Sequence, residues 1–160
     1  MQWLRFAVVT LVATVLQAGL LANWNVKPDL LLIILIFFAV YGTTTEAIIT
    51  SFVIGFAADI IGSAMGAQTI SFGLLGTLLA YMNRVIAIKK MPYQSLAIFL
   101  TGISVGIAAH LLALLKDQPA ISGIYAGIFW TSFYSAVVGP FLFLPCAWWM
   151  RIKTHRFSRP

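Results

Sequence analysis

Six apolar runs, at about residues 4–23, 28–43, 46–64, 67–82, 95–115 and 122–150, take up nearly all of a 160-residue chain. A helix needs roughly 20 apolar residues to cross a hydrocarbon core about 30 Å thick, and most of these runs come close to that length. None shows the polar/apolar alternation of an outer-membrane strand. The expected fold is therefore all-α: a polytopic membrane bundle of about six transmembrane helices, forming a single integral-membrane domain over residues 1–160. At 61% hydrophobic and 9% charged, against about 45–50% and about 25% in soluble proteins, nothing remains for a soluble domain. Function must lie in the bilayer and in short loops. The second and fourth runs are short, and the sixth contains Pro140 and Pro145 and is expected to begin with an interfacial segment. Arg5 ahead of an apolar stretch resembles a signal peptide, but no small-residue cleavage site ends it, so the first run is expected to be retained.

The formal charge is +6, yet the cations cluster where runs meet loops and do not line one amphipathic element. That pattern serves topology and anionic lipid headgroups, and nucleic acid is not an expected partner. With six spans and the N-terminus inside, Arg5, Arg84, Lys89, Lys90, Arg151, Lys153, Arg156 and Arg159 all fall on one side. Only Lys27 and Lys116 fall on the other. By the positive-inside bias the expected orientation is N-in/C-in. The single cysteine, Cys146, excludes an intramolecular disulfide and reads as a small packing residue.

The third run holds an isolated carboxylate, Asp59, in the stretch FAADIIGS. A charged aspartate at the centre of a membrane helix costs about 2.5–3.5 kcal/mol on insertion scales, so Asp59 must be shallow, partnered, protonated or required for function. Helical spacing gathers Ser51, Gly55, Ala58, Asp59, Gly62 and Gly66 near one face. Thr69, Gly73, Gly76, Thr77 and Ala80 do the same in the fourth run, as do Gly102, Gly106, Ala109, His110 and Ala113 in the fifth. Small residues let helix backbones approach closely in lipid, so runs three, four and five are expected to share a tight core. Asp59 and His110 each lie about five residues, or roughly 7 Å, before the outer end of their runs and are expected to meet across the bundle.

Catalysis finds little support. Gly102-Ile103-Ser104-Val105-Gly106 matches the G-x-S-x-G pattern, but that motif works at a strand-to-helix turn and here lies within a continuous apolar run. The two histidines, His110 and His155, fall on opposite sides of the expected membrane, so no metal site forms from them. There is no phosphate-binding glycine loop, and no cofactor is expected.

Two stretches carry a family resemblance. Lys27-Pro28-Asp29-Leu30-Leu31-Leu32 opens the second run; Gly55-Phe56-Ala57-Ala58-Asp59-Ile60-Ile61-Gly62-Ser63 ends the third, with Gly66 soon after. Together with the length, the six-run pattern and the basic C-terminus, they resemble the MreD family of bacterial rod-shape-determining proteins over nearly the whole chain. The resemblance implies a non-enzymatic inner-membrane subunit of the cell-elongation machinery. Its implied partners are a single-span MreC-like protein, the peptidoglycan synthases of the rod complex and the MreB filament. It also implies structural or partner-binding roles for Pro28, Asp29, Gly55, Asp59, Gly62 and Gly66, to which the depth shared with Asp59 adds His110. The family is similar in fold to the substrate-binding subunits of energy-coupling-factor vitamin transporters, which supplies a rival expectation: a small-molecule carrier with Asp59 in an outward-facing pocket. A carrier needs several polar groups converging at one depth. The outer-half candidates are Asp59, Gln68, His110, Asn23 and Asn25, a thin set that favours the scaffold.

Overall fold

A computed structural model describes residues 3–19, 28–62, 66–85, 91–116 and 123–149. Asn23, Asn25, Lys27, Ser63, Lys89, Lys90, His155 and the cations of the C-terminal tail lie outside the described residues, as does the side chain of Arg84. Six helices follow in order: α1 (Trp3–Ala18), α2 (Leu30–Tyr41), α3 (Thr44–Ile61), α4 (Ala67–Val85), α5 (Met91–Leu114) and α6 (Ile124–Trp149). No strand occurs among the described residues. Within α3, α5 and α6, the segments Thr44–Ile61, Pro92–Leu114 and Ile124–Trp149 are long and apolar enough to cross a membrane. The sixth run forms one continuous helix through Pro140 and Pro145, without the separate leading segment expected from sequence. Membrane helices tolerate proline because neighbouring helices and side chains re-satisfy the freed backbone groups.

The second run departs most from a simple span. Helix α2 has 12 residues, only about 18 Å at 1.5 Å per residue, and cannot cross a core about 30 Å thick unaided. Every residue from Leu31 to Val40 is buried. A helix that is apolar all round belongs inside a bundle, and α2 is the central post around which the others stand. Its start is capped by Asp29, whose side chain accepts from Leu32 N. At its end Asn83 Nδ2 of α4 donates to the Val40 carbonyl at 2.8 Å, meeting an acceptor that the helix leaves unpaired. Outward-facing side chains are large and apolar, among them Leu11, Phe56, Leu74 and Phe141.

Small residues set the pairings. Gly55 of α3 faces the backbone of Thr69 and the side chain of Phe72 in α4, and Gly76 of α4 receives Ser51 of α3. Gly102 and Gly106 of α5 instead face Ser132 and Ile128 of α6, with Leu32 of α2 also against Gly102. Of the tight core expected for α3, α4 and α5, the pairings of α3 with α4 and of α4 with α5 are present, but the glycine face of α5 is turned to α6, so that two close pairs, α3 with α4 and α5 with α6, stand about α2. Helical spacing identifies a face but not the helix it meets.

Cross-helix contacts fix the alternation of direction. Arg5 of α1 donates to the Trp149 carbonyl of α6 at 2.9 Å, and Gln94 of α5 donates to the Tyr41 hydroxyl of α2 at 2.9 Å. With the Asn83 cap, these gather the start of α1, the ends of α2, α4 and α6, and the start of α5 at one end of the bundle. At the other end lie the contacts of Asp59 and His110.

Candidate functional site: carboxylates at the starts of two helices

The first turn of a helix leaves four backbone N–H groups without intrahelical partners and carries about half a positive charge, so a carboxylate is stabilised there. Both acidic residues singled out in the sequence occupy such positions. Asp59, buried at 6% exposure, reaches from the last turn of α3 to the start of α4. Its Oδ1 accepts from Gln68 N at 3.0 Å and its Oδ2 from Thr69 N at 2.9 Å, and the Thr69 hydroxyl also donates to Oδ2. The carboxylate is partnered, and its partners are mainly backbone. Between the two helices Gly62 closes α3, its N–H donating to the Ala58 carbonyl at 2.9 Å, in an extended conformation open to any residue (φ −82°). Gly66 precedes α4 at φ +87°, in the left-handed region that glycine enters without penalty.

Asp29 sits at the foot of α2, next to the buried Pro28. Its Oδ1 accepts from Leu32 N and from Gln17 Nε2 of α1, both at 3.1 Å, while Gln17 Oε1 accepts from Leu31 N at 3.2 Å. The Asp29 backbone N–H donates to Ser135 Oγ of α6 at 2.8 Å. One capping residue therefore ties α1, α2 and α6 together. Ser135 lies eleven residues after Ile124 in α6, about 16 Å along that helix, so α2 begins near the middle of the bundle.

His110 does not meet Asp59. Its ring packs edge-on against Tyr125 of α6, with centroids 5.6 Å apart, whereas the three hydrogen bonds that the Asp59 carboxylate accepts all come from α4. Equal depth does not bring the two residues to the same side of the bundle. Ser104 lies mid-helix in α5, its hydroxyl donating to the Leu100 carbonyl at 2.9 Å, with none of the turn geometry of a nucleophile elbow. Among the described residues no three His, Cys, Asp or Glu side chains gather as metal ligands would. Sequence reasoning missed Gln17, Asn83, Gln94 and Ser135, the polar residues that tie α2 to its neighbours. Their signal was present: each is a single polar side chain inside or beside an apolar run, where such a group needs a partner.

This arrangement joins helices: each carboxylate accepts hydrogen bonds from a helix start, and among the described residues no nucleophile or proton-transfer pair is assembled around either. Comparison with curated proteins and with solved structures found no match. The family profile described as rod shape-determining protein MreD matches residues 1–153, and with essentially the whole chain covered, this membrane protein belongs to the MreD family.

Proposed function

We propose that the chain is a non-enzymatic scaffold subunit of the rod-shape, peptidoglycan-synthesising complex of the bacterial inner membrane, acting by holding partners together. The observation that carries this reading is the whole-length family match, and the polar interior supports it, because Asp29, Asp59, Gln17 and Asn83 all serve helix joining. A scaffold must also offer a surface. Phe129, Trp130, Phe133, Val137, Phe141 and Trp148 of α6 are between 46% and 81% exposed and at 100° per residue fall within one sector of the helix. The small-residue faces are occupied inside the bundle, so this aromatic face is where a single-span MreC-like helix docks. The peptidoglycan synthases and the MreB filament join through the assembled complex.

Photo-crosslinkers placed at 133, 137 and 141 in cells making the whole rod complex should capture a membrane partner, whereas the buried positions 132 and 136 should not. Depleting the protein should round rod-shaped cells. Normal rods after depletion, or capture that is equal on both faces, would contradict the scaffold reading.

A further inference from the structure

Helices α1 and α6 are joined at both ends and part between them. At one end Arg5 Nη1 donates to the Trp149 carbonyl at 2.9 Å; at the other, Gln17 of α1 and Ser135 of α6 both bond to Asp29. Between these ties lies a groove of about 360 Å³. Val8, Val12 and Leu16 of α1 and Leu142 and Trp149 of α6 form its walls, and Ile33 of the buried α2 forms its floor. Its described lining side chains are apolar, apart from the indole N–H groups of Trp148 and Trp149 and the thiol of Cys146.

The groove is apolar along its length and cationic at its mouth. Arg5 stands one turn before Val8 and Val9 on the same face of α1. Its one hydrogen bond among the described residues goes to a neutral carbonyl, that of a residue lining the groove. A guanidinium carries five N–H donors in a fork that matches a phosphate, so most of them remain for an anion. An apolar slot that ends at a cation without a carboxylate partner complements an amphiphile with an anionic head. A flexible chain suits it better than a partner helix: a helix with its side chains is about 10–12 Å across, and walls tied at both ends do not part to admit one.

We propose that this groove holds one acyl chain of an anionic phospholipid whose phosphate is bound by Arg5. By the orientation expected from the charge asymmetry, the mouth faces the cytoplasmic leaflet, where anionic headgroups are concentrated. The groove shares only Trp148 with the aromatic face of α6, and its test uses none of positions 133, 137 and 141, so its failure would leave the scaffold reading untouched. The full chain is purified in mild detergent and given equal amounts of phosphatidylglycerol and phosphatidylcholine with identical acyl chains, and the retained lipid is read by native mass spectrometry. Arg5→Gln removes the charge but keeps an amide donor for the Trp149 carbonyl, and Arg5→Lys keeps the charge. Val12→Trp puts a ring into the groove from a position 47% exposed.

One phosphatidylglycerol should survive the activation that strips other lipids from the wild type. The preference over phosphatidylcholine should fall about tenfold in Arg5→Gln and only severalfold in Arg5→Lys, and Val12→Trp should lose the retained lipid at an unchanged melting temperature. A phosphatidylglycerol carrying a diazirine on its acyl chain should crosslink to peptides of both α1 and α6, which keeps the proposal decidable if Val12→Trp proves unstable. Equal retention of the two lipids by the wild type, or equal retention of phosphatidylglycerol by the wild type and Arg5→Gln, would overturn the proposal. Displacement of the phosphatidylglycerol by an equal concentration of palmitate would overturn it in favour of a free fatty acid. Capture of a protein by a photo-crosslinker at Val12, in cells making the whole rod complex, would overturn it in favour of a partner helix.

Discussion

Asp59 shows what a residue discloses in a sequence and what it conceals. A lone carboxylate in an apolar run must find partners, and that requirement is legible from composition alone. The partners were not legible, because two of the three are backbone N–H groups of the next helix, Gln68 and Thr69, and backbone donors look alike at every position. His110 was misplaced for a related reason: counting along a helix gives depth, while its neighbour is set by how the helices are turned. The geometry orders two substitutions at Asp59. Asparagine keeps one acceptor oxygen but turns an NH₂ toward a donor, whereas leucine leaves both helix-start N–H groups of α4 unmet. A buried donor without a partner costs about 1–3 kcal/mol, so Asp59→Asn should destabilise by about one such loss and Asp59→Leu by about two. Thermal unfolding of the purified protein in mild detergent, followed by tryptophan fluorescence, measures the order. If both variants melt like wild type yet equally abolish rod shape, the charge serves a partner instead of α4.

At the scale of helices, all six elements could be read from the apolar runs, since polar residues and glycines interrupt them where the chain turns. The special place of α2 could not be read. A uniformly apolar run looks the same whether lipid or protein surrounds it, and only the structure shows Leu31 through Val40 enclosed. The same limit applied to the glycine faces, recognised as contact surfaces but assigned to the wrong neighbour for α5. The α3–α4 pair gives a direct test, because its two glycines face different kinds of atom. A Cβ at Gly55 would stand 2.7 Å from the Thr69 Cα and 3.0 Å from the Gln68 carbonyl oxygen, both parts of a backbone that cannot yield alone. A Cβ at Gly73 would press on the ring of Phe52, a side chain 43% exposed and able to swing outward. Gly55→Ala should therefore destabilise by about 1–3 kcal/mol and Gly73→Ala by under about 1 kcal/mol, read from melting in the same detergent. The reverse order would mean that α3 and α4 are not held together at Gly55.

For the whole molecule, the arrangement of helix ends gives the charge asymmetry a physical frame. The contacts from Arg5 to Trp149, Asn83 to Val40 and Gln94 to Tyr41 gather one end of the bundle, and the chain reaches that end at Arg5, at Arg84 and at the close of α6. Eight of the ten Lys and Arg residues belong to these points or to the segments that continue from them. Lys116 belongs to the opposite end, its Nζ lying 3.4 Å from where a Cβ on Gly66 would stand. Short loops rich in Lys and Arg are retained in the cytoplasm, so the cation-rich end should face inward and the end holding Asp59 and His110 should face outward. The test replaces Cys146, the one native thiol, with alanine and adds a single cysteine at Ala87 or at Leu115, which is 81% exposed at the close of α5. A membrane-impermeant maleimide applied to intact spheroplasts should label Leu115→Cys and spare Ala87→Cys until the membrane is opened. Labelling of Ala87→Cys from outside, with Leu115→Cys protected, would invert the bundle and place the end holding Asp59 and His110 on the cytoplasmic side.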